Sequence, residues 1–222
     1  MPPATRGAGA FGPVRSGRTS CRSVVHIGDS TSEGLDSPDY LPKRSDRIGA
    51  RYADVGVATW KPEISGATSI VETLPGGTNA RDVAQQLVSQ GYRGCWVIVL
   101  GTNDSADVAV GSAVGLMTRI ERMMSVIRDQ PVMWVNVKTL VSSGPYAEPN
   151  MEGWDNDLLR ACARYPNMRV FDWASVVKDG WYIPDGIHYT SEGYAARARL
   201  IADALAKAFP ASGATAPGCV VR

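Results

Sequence analysis

The stretch Cys95-Trp96-Val97-Ile98-Val99-Leu100 constrains the fold more than any other part of the chain. Its residues are all apolar, half of them are β-branched, and a glycine flanks the run on each side. A short run without polar alternation is typical of a strand that is buried on both faces, and such strands belong to parallel sheets covered by helices. The chain is therefore predicted to fold as an α/β protein.

The other predicted elements alternate between strand and helix along the chain. Strands are predicted at Ser23–Ile27, Thr68–Leu74, Val132–Leu140 and Met168–Trp173. Helices are predicted at Pro42–Ala53, from a cap at Thr78 or Asn79 to Gly91, and at Ala113–Arg128, Glu152–Arg164 and Ser191–Phe209, the last with Arg197 facing solvent. This alternation indicates a parallel sheet with helices on both faces, five-stranded if all five strand predictions hold.

Length and charge limit the domain organisation and the function classes. The 222 residues suffice for one domain with a substantial core. We place it at residues 21–209, between a flexible N-terminal arm (1–20) and a C-terminal tail (210–222). The formal net charge is +1 with scattered basic residues, so no nucleic-acid partner is predicted. No apolar run reaches the length of a membrane span, and residues 1–20 show no apolar core of a signal peptide.

The four cysteines, Cys21, Cys95, Cys162 and Cys219, leave two interpretations open. They are either buried thiols of a cytosolic protein or two disulfides formed in an oxidising compartment, which an even count fits. The second interpretation favours an extracytoplasmic or secreted protein. Cys21 and Cys95 each precede a predicted strand and are expected at the same end of the sheet, but the three pairings cannot be separated from sequence.

Polar or glycine residues follow several predicted strands at the point where each ends. Ser30 follows the first strand, Gly76 and Gly77 the second, Asn103 the third, and the loop with Asp185 and His188 the fifth. Functional groups of parallel sheets gather beyond the carboxyl ends of the strands. We therefore expect these residues to meet at one edge of the sheet.

This set has the composition of a serine nucleophile site. A serine hydroxyl needs an adjacent base, and His188 is the candidate because His26 lies inside the first strand and is expected to be structural. Asp185 is placed to orient the imidazole across the turn at Gly186. The amides of Ser30 and of Gly76 or Gly77, with the side-chain amide of Asn103, are candidate oxyanion donors. Asp29 and Asp104 are interpreted as structural residues of their own turns.

Four sequence blocks together resemble the SGNH (GDSL-type) hydrolase family. They are Gly28-Asp29-Ser30, the glycine turn at Gly76-Gly77, Gly101-Thr102-Asn103-Asp104 and Asp185-Gly186-Ile187-His188, in the family's order over residues 24–209. The resemblance implies a three-layer α/β/α, flavodoxin-like fold with a five-stranded parallel sheet in the order 2-1-3-4-5. It also implies a catalytic triad of Ser30, Asp185 and His188, with Asn103 and one glycine, Gly76 or Gly77, completing the oxyanion hole.

The predicted activity is that of a serine esterase that removes a small, acetyl-like O-acyl group, from carbohydrate or a similar small-molecule ester. Tyr146, Trp181 and Tyr182 are candidate substrate contacts. The alternative is an O-acyltransferase domain acting on a cell-envelope glycan, because the sequence around Ser30 and the last helix resembles domains of bacterial membrane acyltransferases. The third hypothesis is a non-catalytic binding module. The chain lacks a phosphate loop and zinc-type Cys/His spacing, so no cofactor and no metal are predicted.

Overall fold

The computed structural model describes residues 17–222, and the predicted arm lies outside the described residues up to residue 16. The strands are β1 (Ser23–Gly28), β2 (Thr59–Ile64), β3 (Cys95–Val99), β4 (Val132–Val135), β5 (Met168–Phe171) and β6 (Val220–Val221). The α-helices are α1 (Ser30–Glu33), α2 (Ile48–Asp54), α3 (Ala80–Ser89), α4 (Thr102–Ala109), α5 (Leu116–Ile127), α6 (Glu148–Cys162) and α7 (Ser191–Ala208). Among the described residues, no helix combines the length and apolarity needed to cross a bilayer.

The sheet is parallel throughout and has the order β2-β1-β3-β4-β5-β6. The predicted parallel α/β fold and the order of its first five strands are confirmed. The sheet has six strands rather than five, because the chain returns after α7 and Val220–Val221 pair with β5. Two residues carry too little pattern to be recognised as a strand from sequence.

Both faces of the sheet are buried, as the unalternating strand predicts. In β3, Val97 and Val99 face the layer that contains α2 and α7, whereas Trp96 and Ile98 face the layer of α3, α5 and α6. Since each face is covered by helices, β3 is buried along its whole length. Arg197 departs from the prediction: it is buried on α7, where its guanidinium lies over the Trp173 ring.

The predicted second strand at residues 68–74 is wrong. The strand that pairs with β1 is Thr59–Ile64, and residues 68–74 form an irregular segment instead. β2 is the edge strand, which explains why its sequence is partly exposed and tolerates Pro62. Ile70 is held away from the sheet because its amide donates to Asp104 Oδ1 at 2.9 Å.

Two disulfides join the four cysteines, so the alternative of two disulfides is the one found, while the compartment stays a prediction. Cys21 is bonded to Cys95, at the start of β3, and Cys162 of α6 is bonded to Cys219. The second bond lies next to β6 and ties the C-terminal segment to the helical layer. A cross-link of this kind stabilises the fold mainly by limiting the unfolded chain.

Candidate active site

Ser30 lies directly beyond the carboxyl end of β1. It is the first residue of α1, which Asp29 caps by accepting the amide of Thr31 at 2.9 Å. Gly28 is required at the end of the strand, since the Ser32 side chain fills the space where a Cβ would be. The strand, the cap and the glycine together fix the position of the serine hydroxyl at the sheet edge.

The structure brings Ser30, His188 and Asp185 together in a hydrogen-bonded chain. His188 Nε2 lies 2.8 Å from Ser30 Oγ, and His188 Nδ1 lies 2.7 Å from Asp185 Oδ2. The other carboxylate oxygen, Oδ1 of Asp185, accepts the amides of Ile187 at 2.8 Å and of His188 at 2.9 Å. Gly186, at a φ of +69°, allows the tight turn that folds the carboxylate back onto the imidazole.

The charge state of Asp185 suits a partner of histidine. Partial burial alone would raise its pKa, but the hydrogen bonds from the His188 ring and from two backbone amides outweigh burial and hold the pKa below its usual value. The side chains of His188 and Asp185 keep 33% and 40% of their exposure, so the pair is open to solvent. The ionised carboxylate can therefore fix the imidazole tautomer with Nε2 facing the serine.

Asn103 follows β3, which is the neighbour of β1 in the sheet. It is the second residue of α4, and its Nδ2 donates to Thr68 O at 3.1 Å and to Asp29 Oδ2 at 3.3 Å. Its Oδ1 accepts the Tyr146 hydroxyl at 3.3 Å. The amide of Asn103 is thus fixed from both ends, with its nitrogen on the side of the residue that precedes Ser30.

Gly76 and Gly77 do not lie where the sequence analysis expected. They occupy an exposed turn more than ten residues beyond β2, and the Gly77 amide donates to Leu74 O at 2.9 Å within that turn. The glycine that follows the real β2 is Gly66, beside α1, where an added Cβ would lie 3.1 Å from Glu33 Oε1. The reason is the wrongly predicted second strand, because Gly76 and Gly77 follow residues 68–74 whereas Gly66 follows the observed β2.

The loop that carries Gly66 connects the two other elements of the site. The amide of Ser65 donates to Gly28 O at 3.1 Å, and Thr68 O accepts from Asn103. Gly66 therefore lies between the end of β1 and the start of α4. Its amide, like that of Ser30, has no acceptor among the described residues.

A comparison with known protein families shows which family the chain belongs to. The sequence profile of the GDSL-like lipase/acylhydrolase family matches residues 26–196, which is most of the chain. The protein belongs to this family. It is a serine hydrolase that acts on ester bonds. No curated protein sequence matches it.

Solved structures share the fold of this GDSL-like hydrolase at low sequence identity. A carbohydrate acetylesterase from Sinorhizobium meliloti is 18% identical with a TM-score of 0.65, over 83% of this chain and 98% of that one. A lipase/acylhydrolase from Enterococcus faecalis is 19% identical with a TM-score of 0.61, over 87% and 100%. The C-terminal catalytic domain of the Streptococcus pneumoniae peptidoglycan O-acetyltransferase A is 15% identical with a TM-score of 0.57, over 82% and 89%.

The three aromatic candidates for substrate contact occupy different environments in this hydrolase. Tyr146 is 36% exposed and lies beside Asn103. Trp181 and Tyr182 are buried, with Trp181 Nε1 donating to Glu192 Oε1 at 3.1 Å and the Tyr182 hydroxyl donating to Lys138 O at 2.9 Å. Both rings are thus largely packed inside the protein, although Tyr182 also lines a cavity beside Asp185 and Gly186, and their contact with substrate stays a prediction.

His26 is a buried structural residue, as the sequence analysis expected. Its Nδ1 lies 2.8 Å from the Tyr52 hydroxyl, and burial lowers its pKa to about 3, so the ring is neutral. Burial also raises the pKa of Asp29, although its bonds from Thr31 oppose the shift. Neither residue is placed to exchange a proton with Ser30.

Sequence reasoning missed a buried arginine that supports the site. Arg119 of α5 is fully buried and donates to Asp104 Oδ1 at 2.9 Å and to both carboxylate oxygens of Glu72. Asp104 directly follows Asn103, and Glu72 lies in the segment after Thr68. Arg119 thus ties that segment to α4. The available signal was a charged residue within the apolar face of a predicted helix.

Proposed function

We propose that the protein is an esterase that hydrolyses small O-acyl esters, such as acetyl esters of carbohydrates, through an acyl-enzyme on Ser30. The observation that carries the proposal is the chain of bonds from Ser30 Oγ through His188 to Asp185, at 2.8 Å and 2.7 Å. Fold neighbours that are named carbohydrate acetylesterases support the choice of a small acyl group. The solvent-open histidine and aspartate leave room for a bulky alcohol part.

The first half of the reaction forms the acyl-enzyme. His188 Nε2 takes the proton of Ser30 as the Oγ attacks the ester carbonyl, and Asp185 stabilises the resulting imidazolium. Collapse of the tetrahedral intermediate breaks the bond to the alcohol oxygen, which receives the proton from His188. In the second half, water loses a proton to the same nitrogen and attacks the acyl carbon. The bond from the acyl carbon to Ser30 Oγ then breaks, Oγ takes the proton back from His188, and the acid is released.

The negative charge of the intermediate needs donors that are in place before the reaction. We assign them to the amides of Ser30 and Gly66 and to Nδ2 of Asn103, which exchanges its longer bond, the one to Asp29 Oδ2 at 3.3 Å, for a bond to the oxyanion. Ser30 follows β1, Gly66 follows β2 and Asn103 follows β3. These three strands are neighbours in the sheet, so the three donors lie at the same edge. Removal of one such donor typically lowers kcat by about 10²–10³-fold.

A covalent probe tests the nucleophile separately from the substrate. A fluorophosphonate probe is expected to label the protein, and Ser30→Ala is expected to abolish labelling. Ser32→Ala is the matched control, because this buried hydroxyl lies two residues away and has no hydrogen-bond partner among the described residues. If the folded wild type is not labelled, the protein is a non-catalytic binding module and the esterase proposal fails.

Esterase activity tests the assigned base and its partner. Hydrolysis of p-nitrophenyl esters is expected to be fastest for acetate and to fall with chain length. Asp185→Asn should lower kcat by about 10⁴-fold, because the amide favours the wrong tautomer of His188. An unchanged rate for Asp185→Asn would remove this residue from the triad, and a preference for long chains would contradict the proposed small acyl group.

The second candidate is an O-acyltransferase that passes the acyl group from Ser30 to a glycan hydroxyl. It is favoured by the two disulfides, which fit an extracytoplasmic site, and by the likeness to a peptidoglycan O-acetyltransferase catalytic domain. The chain would then correspond to a domain detached from a membrane acyltransferase. Product analysis with a sugar acceptor distinguishes the two, since transfer in excess of hydrolysis would favour this candidate.

A further inference from the structure

A second concave site lies outside the catalytic residues, where α2 faces the edge strand β2. It is a cavity of about 520 Å³ with two arginines, one carboxylate and one indole in its wall, contributed by Arg44, Arg47, Asp36 and Trp60. The small residues Gly49 and Ala50 also line it. A cavity of this size matches those that hold small-molecule ligands.

The cavity carries positive charge that the protein itself does not neutralise. Ion pairs of this segment are made by Arg51, whereas neither Arg44 nor Arg47 pairs with a carboxylate among the described residues. Asp36 lies near both guanidiniums, but burial keeps its pKa raised in spite of them. With two cations and at most one anion, the cavity has a surplus of at least one positive charge.

Two of the wall groups are held in fixed positions. Arg47 Nε donates to Leu41 O at 2.8 Å, which orients the guanidinium and leaves Nη1 without an acceptor among the described residues. The Trp60 ring packs edge-on against Tyr52, with centroids 5.9 Å apart. Gly49 makes the seat for this ring, because an added Cβ would lie 2.7 Å from Trp60 Nε1. The groups are thus positioned before any ligand binds.

We propose that this cavity, the α2 pocket, binds an anionic saccharide, meaning a sugar ring that carries a carboxylate or a phosphate. Guanidinium groups match the planar oxygen pairs of these anions and bind them with charge-assisted hydrogen bonds. The indole offers an apolar face for a sugar ring together with an N–H donor. Asp36 supplies an acceptor for sugar hydroxyls. A simple anion without hydroxyl groups would gain nothing from this carboxylate.

The chain connects the α2 pocket with the catalytic serine through the short segment between α1 and α2. The Tyr194 hydroxyl donates to Ser30 O at 3.5 Å, and the 43% exposed Tyr40 packs edge-on against Tyr194 at 5.0 Å. Asp36, in the pocket wall, is six residues after Ser30. Trp60 pairs with Val24 near the start of β1, whereas Ser30 lies beyond the end of that strand, so the α2 pocket is separate from the catalytic residues. The binding site therefore does not depend on the proposed function.

The test measures binding without turnover, in the wild type and in Ser30→Ala. Glucuronate and glucose 6-phosphate are titrated while the indole Nε1–H resonance of Trp60, assigned through Trp60→Phe, is followed by NMR. Glucose and acetate are the comparison ligands. At least one sugar anion is expected to shift this resonance in both proteins, with affinity falling as salt rises. Arg44→Gln should weaken binding about tenfold, as expected for one charged hydrogen bond.

Arg122→Gln is the matched control, because it removes the same charge from an exposed residue of α5 on the opposite face of the sheet. It should leave both binding and ester hydrolysis unchanged. The proposal is overturned if neither sugar anion binds, if glucose binds as tightly as the anions, or if acetate alone does. If the wild type binds a sugar anion but hydrolyses no ester, the esterase proposal fails and the proposed α2 pocket is still supported.

Discussion

The Tyr146 hydroxyl provides a sensitive test of how the oxyanion donor is held. It donates to Asn103 Oδ1 at 3.3 Å, while Asn103 Nδ2 is held separately by Thr68 O at 3.1 Å. Tyr146→Phe removes the first restraint and leaves the second. We expect a modest loss of kcat with little change in KM, because the amide of Asn103 keeps its place but loses part of its orientation.

The geometry sets the size of this loss. A bond of 3.3 Å to a ring that is 36% exposed falls at the weak end of the range for hydrogen bonds, about 0.5–1 kcal/mol. If the whole of this energy is lost from the transition state, kcat falls about two- to fivefold, because about 1.4 kcal/mol corresponds to a factor of ten in rate. Asn103→Ala removes the donor itself and should cost about 10²–10³-fold.

A double-mutant cycle separates orientation from direct contact. Rates of p-nitrophenyl acetate hydrolysis are measured for Tyr146→Phe, Asn103→Ala and the double variant. If Tyr146 acts through Asn103, its substitution has no further effect once Asn103 is alanine. Tyr165→Phe, at the end of α6 and remote from the sheet edge, is the control for loss of a tyrosine hydroxyl and should leave the rate unchanged.

Additive losses in this cycle would refute the reasoning. They would show that the Tyr146 hydroxyl contacts substrate directly, as the sequence analysis first expected, rather than through Asn103. A change confined to KM would lead to the same conclusion, since a group that only orients a transition-state donor does not alter ground-state binding.

Three predictions concern stability. Burial raises the pKa of Asp155 from 3.8 to about 8, so the folded protein retains a proton that the unfolded chain releases, and stability falls as pH rises through this window. Asp155→Asn should flatten this fall in urea titrations at acidic and alkaline pH. Replacing Cys162 and Cys219 by serine opens a cross-link with a sequence separation of 57 and should cost about 4 kcal/mol of unfolding free energy. Arg119→Met leaves the buried Asp104 carboxylate uncompensated and should cost about 3–5 kcal/mol in denaturant unfolding.

Each stability prediction has a control and a contrary outcome. Asp155→Asn keeps an acceptor for the Val137 amide, so an unaltered pH dependence would mean that another group titrates. Free thiols in the denatured, unreduced wild type would contradict the paired cysteines. Arg122→Met, at an exposed position of the same helix as Arg119, should change stability by less than about 0.5 kcal/mol. An equally small effect of Arg119→Met would show that the carboxylates need no buried cation.

The sequence was sufficient for the elements whose pattern is local. The unbroken apolar run of β3 predicts a strand buried on both faces, and alternation with helices predicts a parallel sheet. The order of the first five strands was implied by the family resemblance. β2 was missed because an edge strand is half exposed and contains Pro62. In the wrongly predicted strand at residues 68–74 only Ser69 and Ile70 are buried, and the Ile70 amide is bonded to α4 instead of to the sheet. Residues with strand-like composition can thus be buried outside a sheet.

The same limit explains which site residues were misplaced. Ser30, Asn103 and the Asp185–His188 turn follow strands that were recognised, so their convergence could be predicted from topology. Gly66 follows the unrecognised strand and was passed over. Trp181 lies close to His188 in sequence, but its ring is buried and stacks on Trp173 with centroids 6.0 Å apart. Proximity in sequence does not determine which side of a loop faces solvent.

By itself, the sequence determined the chemistry available to this protein: one serine after a buried strand, one histidine outside the strands and an aspartate three residues before it. The tertiary structure alone decided which donors share that edge of the sheet, which rings are buried, and that Arg119 joins α4 to the segment after Gly66. The physical reason is that strand and turn patterns arise from interactions between near neighbours in the chain. The site depends on contacts between residues up to 158 positions apart, which only the packed sheet brings together.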